Sequence, residues 1–242
     1  MDQLTDFTRG DGALSERLVD ELQRRIFSGQ IPVGSWLRHG TIAEEFGISR
    51  TPVREALRVL HAQGIVTIVQ NRGARVNGHS GRDIRELGEV RAELEGLAAE
   101  LAAERINDEQ QERMLAAMRD FESAVTEYQN DLAKAQTPEA SMRWREANEA
   151  FHGSVLEASG NHQLAISLGD VSRRLPRNSS YPVYAGSSRL LAQNLREHEA
   201  VANAILDRDG RKARQAMVKH ILSSTESMAR WAEDNARSTG AP

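Results

Sequence analysis

The sequence has no cysteine. That excludes a disulfide framework, thiolate catalysis and a zinc site built on thiolates. It has no apolar run near the roughly 18 residues that a membrane helix needs. Its opening, Met1 to Arg17, lacks both the basic cap and the apolar core of a secretory signal. It has no internal repeat, no nucleophile elbow and no phosphate-cradling glycine loop. The expectation from these absences is a soluble cytoplasmic protein with no membrane partner. What is present is 242 residues, more than one typical domain and short for three, so two domains are expected.

Charge is unevenly spread. The chain carries a formal −4, which by itself argues against nucleic acid. Between residues 22 and 78, however, eight basic residues face three acidic ones, and all eight are arginine, the side chain suited to phosphate and guanine. Local patterning in the same region is that of three helices and a hairpin. Leu14, Leu18, Leu22 and Ile26 recur at every fourth position and predict a helix ended by Ser28-Gly29. Thr41 and Glu44 form a capping box for a short helix, Ile42 to Phe46, closed by Gly47. Ser49 caps a third helix to about Gln63, with Pro52 in its first turn. Ile65 to Val69 and Ala74 to Val76 read as two strands around the turn Gln70-Asn71-Arg72-Gly73. This is the order of a winged helix-turn-helix.

On the third helix Val53, Ala56 and Leu60 fall on one side, and Arg50, Thr51, Arg54 and Arg58 on the other. An isolated amphipathic helix with three arginines is usually a solvated face. Here the flanking helix, turn, helix and wing favour a helix seated in the major groove. Arg72 and Arg75 of the wing would then meet adjacent backbone or minor groove.

Asn77 to Gly81 reads as a linker. Beyond it the pattern is helical without convincing strands. Helices are expected from Ser80 to about Arg105, Asn107 to Ala135, Thr137 to Ser159, Gln163 to Arg174, Ser188 to Leu206 and Gly210 to Trp231. The fold class is therefore mainly α. A disordered start (1–12) precedes a winged helix-turn-helix domain (13–78). An all-α antiparallel helical bundle (79–234) and a disordered tail (235–242) follow.

In the second domain His152, His198 and His220 each lie on the apolar face of a different helix, and Asn148 sits one turn before His152. Imidazoles projecting into a bundle core can converge on a metal. A single such histidine is more often a hydrogen-bonded core residue. Arg91 falls on the apolar stripe of its helix between Leu87 and Leu94, and a buried guanidinium needs a partner. Two partners remain open: Glu95 one turn on, or a carboxylate on a bound effector.

The run from Gly34 to Leu37, Ile42 to Leu57 with "SRTPVREAL" at its centre, and Gly64 to Val76 resembles the GntR family of bacterial regulators. The resemblance implies that Arg50 and Arg54 contact bases. Arg38, Thr51, Gln70, Asn71 and Arg72 would hold backbone or groove, and Ser49 and Arg58 complete the DNA-facing set. His39 departs from the acidic residue often found there. In the second half, Glu89 to Glu95, Ala150-Phe151-His152 with Ala158 to Asn161, Glu197-His198 and Lys219-His220 resemble the helical ligand-binding domain of the FadR subfamily. The resemblance spans about residues 14–232. It implies a homodimer on a palindromic DNA operator, a small organic acid effector at Arg91, Asn148, His152, His198 and His220, and one divalent ion, zinc or nickel, on the last four. Metal-binding members usually carry Asp where this chain has Asn148. The implied function is a transcription regulator, most often a repressor, and not an enzyme. The rival readings are a metal-dependent hydrolase using the histidines and a purely dimerising second domain.

Overall fold

A computed structural model describes residues 11–27, 30–70, 72–77, 81–175 and 180–238. The chain divides into two compact units, residues 81–233 and the remainder.

The first unit contains α1 (Asp11–Phe27), β1 (Trp36–Leu37), α2 (His39–Phe46), α3 (Arg50–Ala62), β2 (Val66–Val69) and β3 (Gly73–Val76). The three strands pair antiparallel in the order β1-β3-β2. The spaced apolar residues of α1 pack on α3. Leu18, Leu22, Val53, Leu57, Leu60, Ile65, Val66 and Ala74 are buried together in one core. This is the expected winged helix-turn-helix.

Several local expectations are corrected. Helix α1 begins at Asp11, so residues 11 and 12 are helical, while 1–10 lie outside the described residues. Thr41 does not cap α2. Arg38 is the N-cap in extended conformation, and Ile42 N–H already donates to the Arg38 carbonyl at 3.1 Å. Ser49 stands at the N-cap of α3, but its side chain makes no capping hydrogen bond. Strand β1 was not expected at all.

The second unit is helical: α4 (Gly81–Arg105), α5 (Asp108–Asn130), α6 (Leu132–Ala135), α7 (Pro138–Ser159), α8 (His162–Arg174), α9 (Ser180–Ala185), α10 (Ser188–Leu206) and α11 (Gly210–Ser238). Among the described residues it has no strand, and no helix of the chain is long and apolar enough to cross a membrane. Local chemistry sets the helix ends. Asn107 and Gln110 form a reciprocal capping box on α5. Thr137 caps α7, with Pro138 in the first turn, and Asn161 caps α8. The single helix expected from 107 to 135 is broken at Asp131, whose carboxylate takes the N–H groups of Ala133 and Lys134. Helix α9 was missed. Helix α11 continues to Ser238, so residues 235–238 are helical rather than disordered, and 239–242 lie outside the described residues.

Helices α4, α5, α7 and α10 pack on one another around Met114, Phe121, Phe151, Leu191 and Val201. Helices α4 and α11 approach closely at two glycines. A Cβ on Gly88 would lie 2.2 Å from Thr225 Cγ2, and one on Gly96 would lie 2.6 Å from Val218 Cγ2. This antiparallel contact brings α11, which carries His220, onto the helix that carries Arg91 and Glu95.

Candidate functional site

The arginine face of the first unit is built by α3. Val53, Ala56, Leu57 and Leu60 are fully buried against its core. Arg50, Thr51, Arg54 and Arg58 are therefore held outward, all exposed, with Ser49 and Arg38 exposed beside them. Glu55 engages Arg58 at 3.1 Å and lies 3.9 Å from Arg54, leaving Arg54 the less committed of the two. On the wing Gln70 and Arg72 are exposed. Asn71 lies outside the described residues. Arg75, exposed on β3 between Trp36 and Thr67, donates from Nε to the Gly34 carbonyl at 3.3 Å.

In the second unit the three expected histidines come together. One ring nitrogen from each of His152, His198 and His220 lies within 4.8 Å of the others. The rings of His198 and His220 meet edge to face at 4.3 Å, and those of His152 and His220 stack at 5.3 Å. Helices α7, α10 and α11 each supply one ring. Phe121 stacks on His198 at 4.2 Å and seals it from the core side.

The hydrogen bonds fix how the rings face. His152 Nδ1 meets Glu95 Oε2 at 2.5 Å, His198 Nδ1 meets the Asn194 carbonyl at 2.8 Å, and His220 Nδ1 meets Glu197 Oε2 at 3.2 Å. A carboxylate and a carbonyl only accept, so each Nδ1 carries a proton, and Nε2 is the nitrogen that each ring can offer to a cation. Burial, reinforced by His220 and His152, pushes His198 well below the ordinary imidazole range. Burial also lowers His220. Neutral imidazole is the metal-binding form. On the outside of the cluster, burial would raise Glu95, but Arg91 and His152 overcome it and hold the carboxyl below its usual range. Burial likewise opposes ionisation of Glu197, and His220 with Gln193 outweighs it.

Asn148 supplies the test of whether a cation fits. Its Oδ1 lies 3.1 Å from His198 Nε2. With the proton on Nδ1, this contact sets two lone pairs face to face. Turning the amide would make it a donor. Left as it stands, the pair suits a cation that both atoms ligate from one side, off the line joining them. The donor set therefore fits a divalent ion on three imidazole nitrogens and one amide oxygen. Two nitrogens on a tetrahedral zinc stand about 3.3 Å apart, so the rings must draw in slightly.

Of the two partners open for Arg91, Glu95 is in place. Its Nε donates to Glu95 Oε1 at 2.6 Å. Among the described residues that is its one hydrogen bond, and the Nη1–Nη2 edge makes none. Glu95 and Glu197, carboxylates behind two of the three histidines, were not read as site residues. Gln193, which donates to Glu197 at 2.9 Å, and Asn194 were missed too. The available signal was spacing, since Asn194 stands one turn before His198.

Comparison with known proteins agrees with both halves. Residues 14–76 match the model of bacterial regulatory proteins of the gntR family, and residues 86–223 match the FCD domain. The galactonate operon transcriptional repressor of Escherichia coli strain K12 is 30% identical over 234 residues, covering 87% of this chain and 95% of that protein. The Glc operon transcriptional activator of the same strain is 28% identical over 232 residues, covering 86% of each. Among solved structures, E. coli McbR/YncC shares the fold with a TM-score of 0.66 at 18% identity, covering 96% of this chain and 99% of that one. The family consists of transcription regulators rather than enzymes, which sets aside the hydrolase reading. A DNA-binding winged unit joined to a ligand-binding helical unit makes this chain a member of the GntR family, a transcription regulator of the type that carries an FCD domain.

Proposed function

We propose that the protein is a cytoplasmic, homodimeric repressor that binds a palindromic operator and is governed by a small organic acid bound beside a divalent ion in the helical unit. The observation that carries this reading is the convergence of His152, His198 and His220, each with Nδ1 tied to an acceptor. Zinc or nickel suits nitrogen-rich donors. Such an ion polarises an anionic ligand. The residues present do the rest: Glu95, Asn194 and Glu197 orient the rings, and Phe121 shields His198. The unused Nη1–Nη2 edge of Arg91 suits a carboxylate taken through two parallel bonds. A two-fold dimer presents two α3 helices to two half-sites. The effector acts by its different affinity for the DNA-competent and DNA-incompetent arrangements.

The relatives support the regulatory reading, and the galactonate operon repressor lends weight to repression and to a sugar-acid effector. Metal analysis of protein purified without an affinity tag tests the site. About one zinc or nickel per chain is expected, with tighter Zn2+ binding in Asn148→Asp, because a carboxylate adds the charge that the amide lacks. Protein that arrives metal-free and takes up no Zn2+ in calorimetry refutes the metal. Binding to DNA upstream of its own gene should weaken steeply with salt as counterions are released. Loss of that complex on adding candidate sugar acids identifies the effector.

A further inference from the structure

The geometry points to a relay between the effector's anionic group and the metal through one buried carboxylate, that of Glu95. The inference rests on the reading of the helical unit as a metal- and anion-binding domain, and adds how the two ligands communicate.

Glu95 sits midway along α4 and is 7% exposed. Its two oxygens are divided between two functions. Oε1 accepts from Arg91 Nε at 2.6 Å, and Oε2 accepts from His152 Nδ1 at 2.5 Å. An ion pair one turn apart on a helix is ordinarily a solvated surface feature. Here the carboxylate is buried and the guanidinium half-buried, and the carboxylate reaches across to a histidine on another helix, 57 residues further along the chain. Arg91 contributes only Nε to the pair. Its remaining edge is the fork that clasps a carboxylate.

An anion on that fork competes with Glu95 for the same positive charge. As the pull of Arg91 on Glu95 is shared, more of the Glu95 charge falls on His152 Nδ1–H. A carboxylate drawing harder on Nδ1–H makes Nε2 more basic and a stronger metal ligand. Anion binding therefore tightens metal binding, and by linkage the metal tightens the anion by the same factor. The other two histidines stand off this path, because their Nδ1 partners are the Asn194 carbonyl and Glu197. Glu95 is thus a positioning residue whose second role is to transmit.

The test is titration of the full-length apoprotein with Zn2+, with and without acetate at constant ionic strength, using acetamide as the neutral control. In the wild type, saturating acetate should lower the Zn2+ Kd about fivefold or more, and acetamide should leave it unchanged. In Glu95→Gln the Zn2+ Kd should rise about 10- to 100-fold, and the acetate effect should vanish. Arg91→Gln leaves the Glu95–His152 bond in place. It should bind Zn2+ more tightly than the wild type without acetate, because Glu95 is no longer shared, and lose the acetate effect, and it serves as the test if circular dichroism shows Glu95→Gln to be unfolded. Acetate that merely ligates the ion would act equally on both variants. An undiminished acetate effect in either variant, or none in the wild type, overturns the relay and leaves the metal site standing. A wild type that takes up no Zn2+ overturns both.

Discussion

Arg54→Ala is expected to leave the protein folded and to remove most of its preference for its operator over unrelated DNA. Position 54 lies on the outer face of α3, while neighbouring Val53 and Leu57 are fully buried. Alanine there disturbs no core contact and favours the helix. A bidentate arginine–guanine contact is worth about 1–3 kcal/mol of discrimination, so the ratio of specific to non-specific affinity should fall about 5- to 150-fold. Arg58→Ala should do less, because Glu55 already engages Arg58 at 3.1 Å and a base must compete for it. Arg72→Ala on the wing should weaken all sequences alike and reduce the salt slope by about one. Competition gel shifts with operator and scrambled duplexes separate these outcomes. An Arg54→Ala variant with an unchanged ratio would sink the assignment of α3 as the reading helix.

Helix α3 was legible because its two faces obey one period, and the wing because β-branched residues flank a turn-forming run. Strand β1 was not. Trp36 and Leu37 are too few to show an alternation, and they become a strand only by pairing with Arg75 and Ala74, almost forty residues on. Thr41 and Glu44 satisfied the capping pattern, yet the chain had already turned helical at His39. The reverse happened at Asp131, where an apolar period continues across a carboxylate that captures two N–H groups and starts a new helix. At the site, each histidine stood out because a polar ring on an apolar face is uncommon. Glu197 did not, being one of 35 acidic residues, and Glu95 was legible as a partner of Arg91 but not of His152. Whether an acid on a helix points inward depends on what the neighbouring helix offers. Here the offers are His152 and His220, and only the packed bundle reveals them.

The largest stability effect is expected at Gly73, the first residue of β3. Its φ is +107°, a conformation that costs an L side chain about 1–3 kcal/mol. The space is also closed, because a Cβ would lie 2.4 Å from the Leu37 carbonyl oxygen. That oxygen is backbone and cannot swing aside as a side-chain tip would. Relief requires β1 to part from β3 or the turn after Val69 to open, and either change moves Arg72. Gly73→Val adds a β-branched side chain, which tolerates positive φ least. Clash and strain together should exceed about 3 kcal/mol, a large share of the roughly 5–15 kcal/mol that holds a domain folded. Gly64→Ala is the control. Its φ is +73° and nothing lies within 4 Å of the new Cβ, so backbone strain alone acts, at about 1–2 kcal/mol. Thermal unfolding should show the transition of the winged unit lowered far more in Gly73→Val than in Gly64→Ala, with operator binding lost in the former. The helical unit has a core of its own, so its Zn2+ affinity should be unchanged in both. A Gly73→Val protein that binds operator with wild-type affinity would mean that the β1–β3 pairing does not support the wing.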